Sequence, residues 1–170
     1  RELYEGDISI DRFPLSLSLP HDSLGNLSAS IRFAGKHYNP TDSAMCASAE
    51  LTVDTADYSG YRYTGIAIEA NLNRGRVIGE ITSTDPNLLT GLALSANLSE
   101  KKYTATLTGD IHVDLEALHF TTETCKISTG FEVAGEVSPS DEFFKANAQF
   151  QNLSALLPSS KLQGNPLTIS

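Results

Sequence analysis

The sequence contains no tryptophan, one methionine and only two cysteines among its 170 residues. Two cysteines are too few for the disulfide framework of a small secreted scaffold. Cys46 alternates out of step with its apolar neighbours, whereas Cys125 is in step with Ile127, so in strands the two thiols would point to opposite faces. We therefore expect no disulfide bridge between them.

Basic residues are also scarce, because 12 Lys and Arg stand against 21 Asp and Glu and leave a net charge of -9. A surplus of negative charge repels nucleic-acid phosphates and anionic lipid headgroups. No stretch approaches the roughly 20 apolar residues that a membrane-spanning helix requires. The composition therefore argues against nucleic-acid binding and against a membrane span within this chain.

Recognisable catalytic, cofactor and metal motifs are absent as well. The 4 histidines are scattered without the spacing of a zinc site. The sequence has no G-x-S-x-G nucleophile motif and no glycine-rich phosphate loop. We predict that the chain is not an enzyme and that it carries no catalytic residue, cofactor or metal.

Alternation of apolar and polar residues dominates the sequence, and long runs with helical periodicity are missing. This pattern predicts an all-β protein. Turn-forming residues separate the apolar runs at the spacing of an antiparallel meander. The predicted strands are Ile8–Ile10, Leu15–Leu19, Leu27–Phe33, Met45–Val53, Ile66–Leu72, Val77–Ile81, Leu92–Leu98, Tyr103–Leu107, Ile111–Leu115, Cys125–Ile127, Phe131–Val137 and Phe144–Phe150. Single helical turns are predicted at Asp114–Phe120 and Asn152–Leu157, before Pro158.

One face of these strands is apolar, and the other carries small polar residues such as Ser28, Ser30 and Ser95. The polar face belongs in water, so a second sheet or the same sheet folding over must cover the apolar face, since no long helix is available. Two folds stay open: a long, curled antiparallel sheet that forms a U-shaped trough, and a closed β-sandwich. The predicted residues of the apolar face, called here the apolar set, are Ile31, Phe33, Leu51, Val53, Ile66, Ile68, Leu72, Leu92, Leu94, Leu98, Leu107, Phe131, Val133 and Phe150.

The two halves of the chain share an internal repeat. Gly6–Asp11 returns as Gly109–Asp114, and Leu27–Gly35 returns as Ile127–Gly135. Repeats of this kind stack on one another, so we expect the chain to be a β-rich fragment of a longer array. The first copy covers about residues 6–108 and a partial second copy covers about residues 109–170 of the single fragment 1–170.

The order of these signals resembles a known family. The segments LGNL from Leu24, YSGYRYTGI from Tyr58, GEITSTDPNL from Gly79 and DLEAL from Asp114 are similar to the repeats of the TamB family, the translocation and assembly modules of the AsmA-like group, in their Bacteroidetes form. The resemblance covers nearly the whole chain.

The resemblance implies a large envelope protein of a Gram-negative bacterium that is anchored in the inner membrane and crosses the periplasm. Its sheet would fold lengthwise into the trough called a β-taco. Such proteins are implicated in phospholipid transport between the inner and outer membranes, and in outer-membrane protein assembly through a barrel partner.

Shielding acyl chains from water has a simple physical basis, because each exposed methylene costs about 0.8 kcal/mol. A uniform aliphatic groove would remove that cost without fixing the lipid in one position, as polar groups do in ordinary pockets. We therefore predict that the apolar set lines a groove for phospholipid acyl chains.

Two other functions remain open. The chain is alternatively a scaffold for outer-membrane protein assembly or secretion through edge-strand or barrel contacts, since excised sheets leave pairing groups bare at their edges. Those edges also predict that the fragment dimerises. It is alternatively a β-sandwich glycan-binding or adhesin module, in which Tyr58, Tyr61 and Tyr63 would stack on a sugar in place of the missing tryptophan.

Overall fold

The computed structural model describes residues 3–17, 23–37, 44–98, 102–138, 143–157, 160–163 and 167–169. The protein is all-β, as the alternation predicts. Its strands are β1 (Leu3–Pro14), β2 (Leu24–Lys36), β3 (Cys46–Tyr58), β4 (Tyr61–Asn73), β5 (Arg76–Asp85), β6 (Leu88–Leu98), β7 (Tyr103–Asp114), β8 (Lys126–Ser138), β9 (Phe143–Leu157), β10 (Ser160–Gln163) and β11 (Leu167–Ile169). A 3₁₀ turn, Leu15–Leu17, follows β1.

All the strands belong to one 11-stranded antiparallel sheet. β1 to β10 follow one another across the sheet in sequence order, and β11 also pairs with β9. The first and last strands of this order do not pair with each other, so the sheet is open. The fold is therefore the open-sheet alternative, and the two stacked sheets of a closed β-sandwich are not formed by the described strands.

Two-residue turns set the register in the middle of the sheet. Ser59 and Gly60 join β3 to β4 with φ angles of 49° and 78°, and Arg74 and Gly75 join β4 to β5 with φ angles of 51° and 74°. Positive φ at both central residues is typical of type I′ turns, whose twist matches that of the flanking strands. A slip of one residue would turn every apolar side chain of these strands to the polar face.

The register places the whole apolar set on one face of the sheet, here called the apolar face. Directly paired residues share a face, and alternate residues of one strand share it too. The central row of this face runs through every strand from β1 to β9. Its members are Ile8, Ile31, Leu51, Ile68, Ile81, Leu92, Gly109, Phe131 and Phe150.

The apolar face is half-exposed. Every member of the apolar set is half-buried, although Ile8 and Val137 at the margins of the same face are 48% and 38% exposed, and Ile78 and Leu89 on the opposite face are 51% and 43% exposed. Among the described residues, only Ala29 and Leu118 are buried apolar side chains. The difference between the faces is what a sheet that curls toward its apolar side produces, and no second layer of described residues fills the trough.

The opposite face carries a row of charge. Glu50 lies opposite Glu69, which lies opposite Glu80. Arg32 continues the row and binds Glu50 Oε2 at 3.3 Å and Asp7 Oδ1 at 3.1 Å. Exposed ion pairs add little stability, but this row keeps the convex side of the sheet in water.

Two local predictions have different outcomes. The helical turn predicted at residues 114–120 is confirmed, because Leu118 N donates to Asp114 O at 3.0 Å. The strand predicted at residues 15–19 is wrong for Leu15–Leu17, which form the 3₁₀ turn. Residues 18 and 19 of that prediction lie outside the described residues.

The helical turn predicted at residues 152–157 is also wrong. These residues belong to β9, because β8 offers them a backbone ladder in which Ser154 pairs with Ser128 and Leu156 with Lys126. The register shifts between Ser128 and Gly130, and Asn152 has a φ of 52°, as in a β-bulge. Long-range pairing satisfies more backbone groups than an isolated turn can.

The predicted repeat has a structural counterpart at one position. Ala29 and Thr129, equivalent in the two copies, are both buried beside a shift in register. The strand pairing is otherwise offset, because Gly6 lies opposite Phe33 while the equivalent Gly109 lies opposite Phe131. The repeat itself stays a prediction.

Replacing Gly109 with alanine should destabilise the sheet. Gly109 has a φ of 156°, and a Cβ atom there would lie 2.9 Å from Leu92 Cα and closer still to the Gly91 carbonyl oxygen. Backbone atoms cannot yield cheaply, so we expect Gly109→Ala to cost about 2 kcal/mol or more. Thermal unfolding should show a melting temperature lower by about 6 °C.

Gly91→Ala is the matched control, because a Cβ atom at Gly91 meets nothing within 4 Å. Its stability should stay within about 0.5 kcal/mol of the parent chain. Equal melting temperatures for the two variants would contradict the close approach of β6 and β7 at Gly109.

Candidate functional site

The apolar face is the largest candidate site. Paired residues on neighbouring strands place their Cβ atoms about 5 Å apart, so the central row is continuous across the sheet except at Gly109 on β7, which has no side chain. A second row lies beside it, with Phe33 on β2, Leu94 on β6, Leu107 on β7 and Val133 on β8. The side chains of both rows are hydrocarbon. The sheet therefore offers a strip of hydrocarbon surface that crosses the strands and is partly open to solvent.

Aromatic rings near β1 lie over glycines. A Cβ atom at Gly6 would lie 2.5 Å from Cζ of Phe33, its partner in register. A Cβ atom at Gly35 would likewise overlap the ring of its partner, Tyr4. The missing Cβ atoms let both rings lie close to the backbone.

A buried polar cluster closes one end of the apolar face. Asp85 is 0% exposed. Like Ser83, two residues before it in β5, it lies on the apolar side of the sheet. Its carboxylate accepts hydrogen bonds from the Tyr61 hydroxyl at 2.5 Å, Thr64 N at 3.0 Å and Asn87 N at 2.9 Å. A buried carboxylate is tolerated only when hydrogen-bonded, and these donors meet that need.

The tyrosines of this region belong to the same cluster. The rings of Tyr61 and Tyr63 meet edge to face with centroids 4.9 Å apart. Burial, and then the hydrogen bond to Asp85, raise the pKa of Tyr61, while burial and the charge of Asp85 raise the pKa of Tyr63. Tyr58 lies 6.2 Å from the ring of Phe120. Because Tyr61 and Tyr63 pack edge to face, their rings do not form a flat platform for a sugar.

A strap, residues 115–124 between β7 and β8, covers this closed end. It passes the β5–β6 turn, where Asp114 N donates to Asn87 O at 3.0 Å. It then reaches the β3–β4 turn, where His119 Nδ1 donates to Ser59 O at 3.0 Å. Leu118 of the strap is 1% exposed. The strap therefore joins parts of the sheet that are far apart in sequence.

The root of the strap is held by charge as well as by backbone hydrogen bonds. Lys126 Nζ lies 2.7 Å from Asp114 Oδ2, and Asp114 Oδ1 accepts from Ala117 N at 3.1 Å. The hydrogen bond from Lys126, and then that from Ala117, lower the pKa of Asp114. The carboxylate therefore stays ionised as the cap of the turn at the root.

Sequence reasoning missed two residues of this end, Asp85 and Leu118. They are the largest fully buried side chains among the described residues. The signal for Asp85 was present, because alternation places it in phase with Ile81 and Ser83 on the apolar side. The sequence contains no comparable signal that Leu118 closes the end, since its position depends on where the strap crosses.

The remaining sequence-predicted features lie apart from this site. His112 hydrogen-bonds to Ser128 Oγ at 2.7 Å on the polar face. Cys46 and Cys125 are both free, as expected. In the described ranges, the His, Cys, Asp and Glu side chains form no group of three that could hold a metal ion. No helix within those ranges has the length and hydrophobicity to cross a membrane.

Comparison of the chain with protein-family models, curated proteins and solved structures finds no match. Whether the apolar set binds lipid therefore stays a prediction that depends on the geometry of the face.

Replacing Tyr61 with phenylalanine should change the stability of the protein in alkali. A folded-state pKa above the unfolded value favours folding below about pH 10, and this contribution is lost as the pH rises further. We expect the free energy of unfolding of the parent chain to fall above about pH 10, and to fall less in Tyr61→Phe, where the raised pKa values of Tyr63 and Lys126 still contribute.

Denaturant unfolding followed by far-UV circular dichroism measures this difference. Tyr103→Phe, in the same sheet but outside the cluster, is the control and should keep the full decline. At neutral pH, Tyr61→Phe should also lose about 1 to 2 kcal/mol, because Asp85 loses a donor. If the free energy of unfolding declined equally in alkali for all three proteins, the raised pKa of Tyr61 would not be a cause of the decline.

Proposed function

We propose that this chain is a segment of a TamB-like protein in the periplasm of a Gram-negative bacterium, and that its apolar face shields phospholipid acyl chains between the inner and outer membranes. The observation that carries the proposal is the half-exposed central row, which crosses β1 to β9 without a polar side chain. The family resemblance of the repeats supplies the envelope location and the inner-membrane anchor of the full-length protein.

The energetics favour a hydrocarbon ligand. An apolar surface that stays half-exposed in the folded chain gains about 25 cal/mol for each Å² that a ligand covers. An acyl chain of about 16 carbons gains roughly 13 kcal/mol gross when its methylenes leave water. The apolar face and the acyl chain both lose contact with water when they meet, so the burial of both surfaces favours the complex.

The distribution of polar groups favours movement along the face. Ser83, Asp85 and Thr129 are the buried polar side chains of the described residues, and each has hydrogen-bond partners within the protein. The central row itself has no donor or acceptor side chain that would hold a lipid at one place. A chain lying across the strands would therefore meet a nearly uniform surface.

A scaffold function is the second candidate, with an outer-membrane barrel as the partner of the full-length protein. The observation that favours it is the edge strand β1, which pairs with β2 alone among the described strands. Such an edge accepts another strand by β-augmentation. In the isolated fragment, a second copy of the chain would supply that strand. The glycan-binding alternative lacks a comparable observation, because Tyr61 and Tyr63 pack edge to face and the Tyr61 hydroxyl is bound to Asp85.

Photocrosslinking tests whether lipid lies on the apolar face. A photoreactive amino acid at Leu94 or Phe131 should label co-purified or added phospholipid several-fold more than the same group at Ser95 or Glu132. These matched positions are neighbours in sequence but point to the opposite face. Mass spectrometry of the adducts measures the difference, and equal labelling at all four positions would overturn the proposal.

A charge on the apolar face should abolish acyl-chain binding. Burying an unpaired carboxylate under hydrocarbon is strongly unfavourable, so Leu94→Asp should weaken binding of a fluorescent fatty acid at least about 10-fold. Ser95→Asp adds the same charge to the polar face and should leave the affinity unchanged. Circular dichroism verifies the fold of both variants, and equal affinities in folded proteins would contradict the proposed face.

A further inference from the structure

The strap is fastened unequally at its two ends. At its root, Leu115 N donates to Cys125 O at 2.8 Å, and Asp114 pairs with Lys126. At its tip, formed by His119 and Phe120, the strap contacts the β3–β4 region through the His119–Ser59 hydrogen bond and through ring contacts with Tyr58 and Tyr61. A structure with a firm root and a lightly held tip can pivot without unfolding the sheet.

Two ring pairs join this tip to the sheet. The His119 and Tyr61 ring centroids are 6.2 Å apart, as are those of Phe120 and Tyr58. Phe120 remains 55% exposed although it lies against the sheet. The tip therefore buries little surface of its own.

Leu118 is more deeply buried than the apolar set. Its side chain is 1% exposed, whereas the members of the apolar set are only half-buried. His119 and Phe120, which follow it, contact Tyr61 and Tyr58, and Tyr61 binds Asp85 at the closed end of the apolar face. Leu118 is thus an aliphatic side chain held under the strap where the apolar face ends.

We propose that the strap is a gate along one side of the acyl-chain groove, at the ends of the strands, with Leu118 standing in for a lipid tail when the groove is empty. The gate rests on the proposed function, since it regulates the same face. An acyl chain that lies across the strands beside the strap replaces the contacts of Leu118, and the tip of the strap swings away from Ser59. Hydrocarbon exchanges for hydrocarbon, so no buried polar group is left without a partner.

Thiol labelling measures the opening of the strap. In a Cys46→Ser, Cys125→Ser background, Leu118→Cys places a thiol at a position 1% exposed in the parent chain, and Ala29→Cys places one at a position 3% exposed in β2. A gate predicts that the Leu118→Cys thiol reacts with a maleimide at least about 100-fold faster under native conditions, because position 29 is reached only when the sheet unfolds. Equal rates would overturn the proposal.

Dodecanoate then tests the coupling of the gate to the groove. Saturating dodecanoate should speed labelling of Leu118→Cys about 10-fold, with binding to that variant measured separately by calorimetry. If dodecanoate binds but does not speed labelling, the proposed gate is overturned while the proposed groove is retained. No binding to this variant or to the parent chain overturns the groove, and the gate with it.

A second variant keeps Leu118 and loosens only the tip. His119→Ala removes the bond to Ser59 and should raise the association rate of dodecanoate about 5-fold. His112→Ala is the matched control, because His112 is also hydrogen-bonded but lies on the polar face. Equal association rates for the two variants would overturn the gate even if Leu118→Cys failed to fold.

Discussion

The structure depends on one constraint, the register of a single antiparallel sheet whose apolar side chains all face the same way. From β1 to β9 each strand is paired to the next, so the backbone groups are satisfied within one layer. Among the described residues, the strap covers that layer at one end of the strands, and no second sheet covers the remainder. The apolar face must then reduce its contact with water by curling, by binding hydrocarbon, or by both.

This constraint accounts for the unusual burial of the protein. Domains of this size ordinarily bury a closed core between two layers. Here Ala29 and Leu118 are the buried apolar side chains of the described residues, and the strip between β1 and β9 stays half-exposed. A surface of that kind is suited to an acyl chain, because it offers contact area without specific partners.

The closed end shows a second way of stabilising the sheet. Asp85 joins β4 and β5 through hydrogen bonds from Tyr61 and Thr64, and it also fixes the turn before β6. The strap adds Leu118 over the same end. Polar and apolar burial are thus concentrated at one end of the strands, while the remaining apolar face is left open.

Much of this arrangement was predictable from sequence. Period-two alternation is a local property, so it predicted the strands, the shared face of Leu51, Ile68 and Leu92, and the absence of a long helix. The same reasoning assigned residues 152–157 to a helical turn, because it could not include the ladder that β8 provides. Alternation places Asp85 on the apolar side, but it does not predict that Asp85 is fully buried, since burial depends on what lies above a residue.

The sequence by itself determined which residues share a face, because side-chain direction along a strand follows from backbone geometry alone. Tertiary structure decided the rest: that one open sheet forms in place of two closed layers, that Gly109 lies against the backbone of β6, and that the strap reaches Ser59. Each of these depends on the distance between residues far apart in the chain, which alternation does not encode.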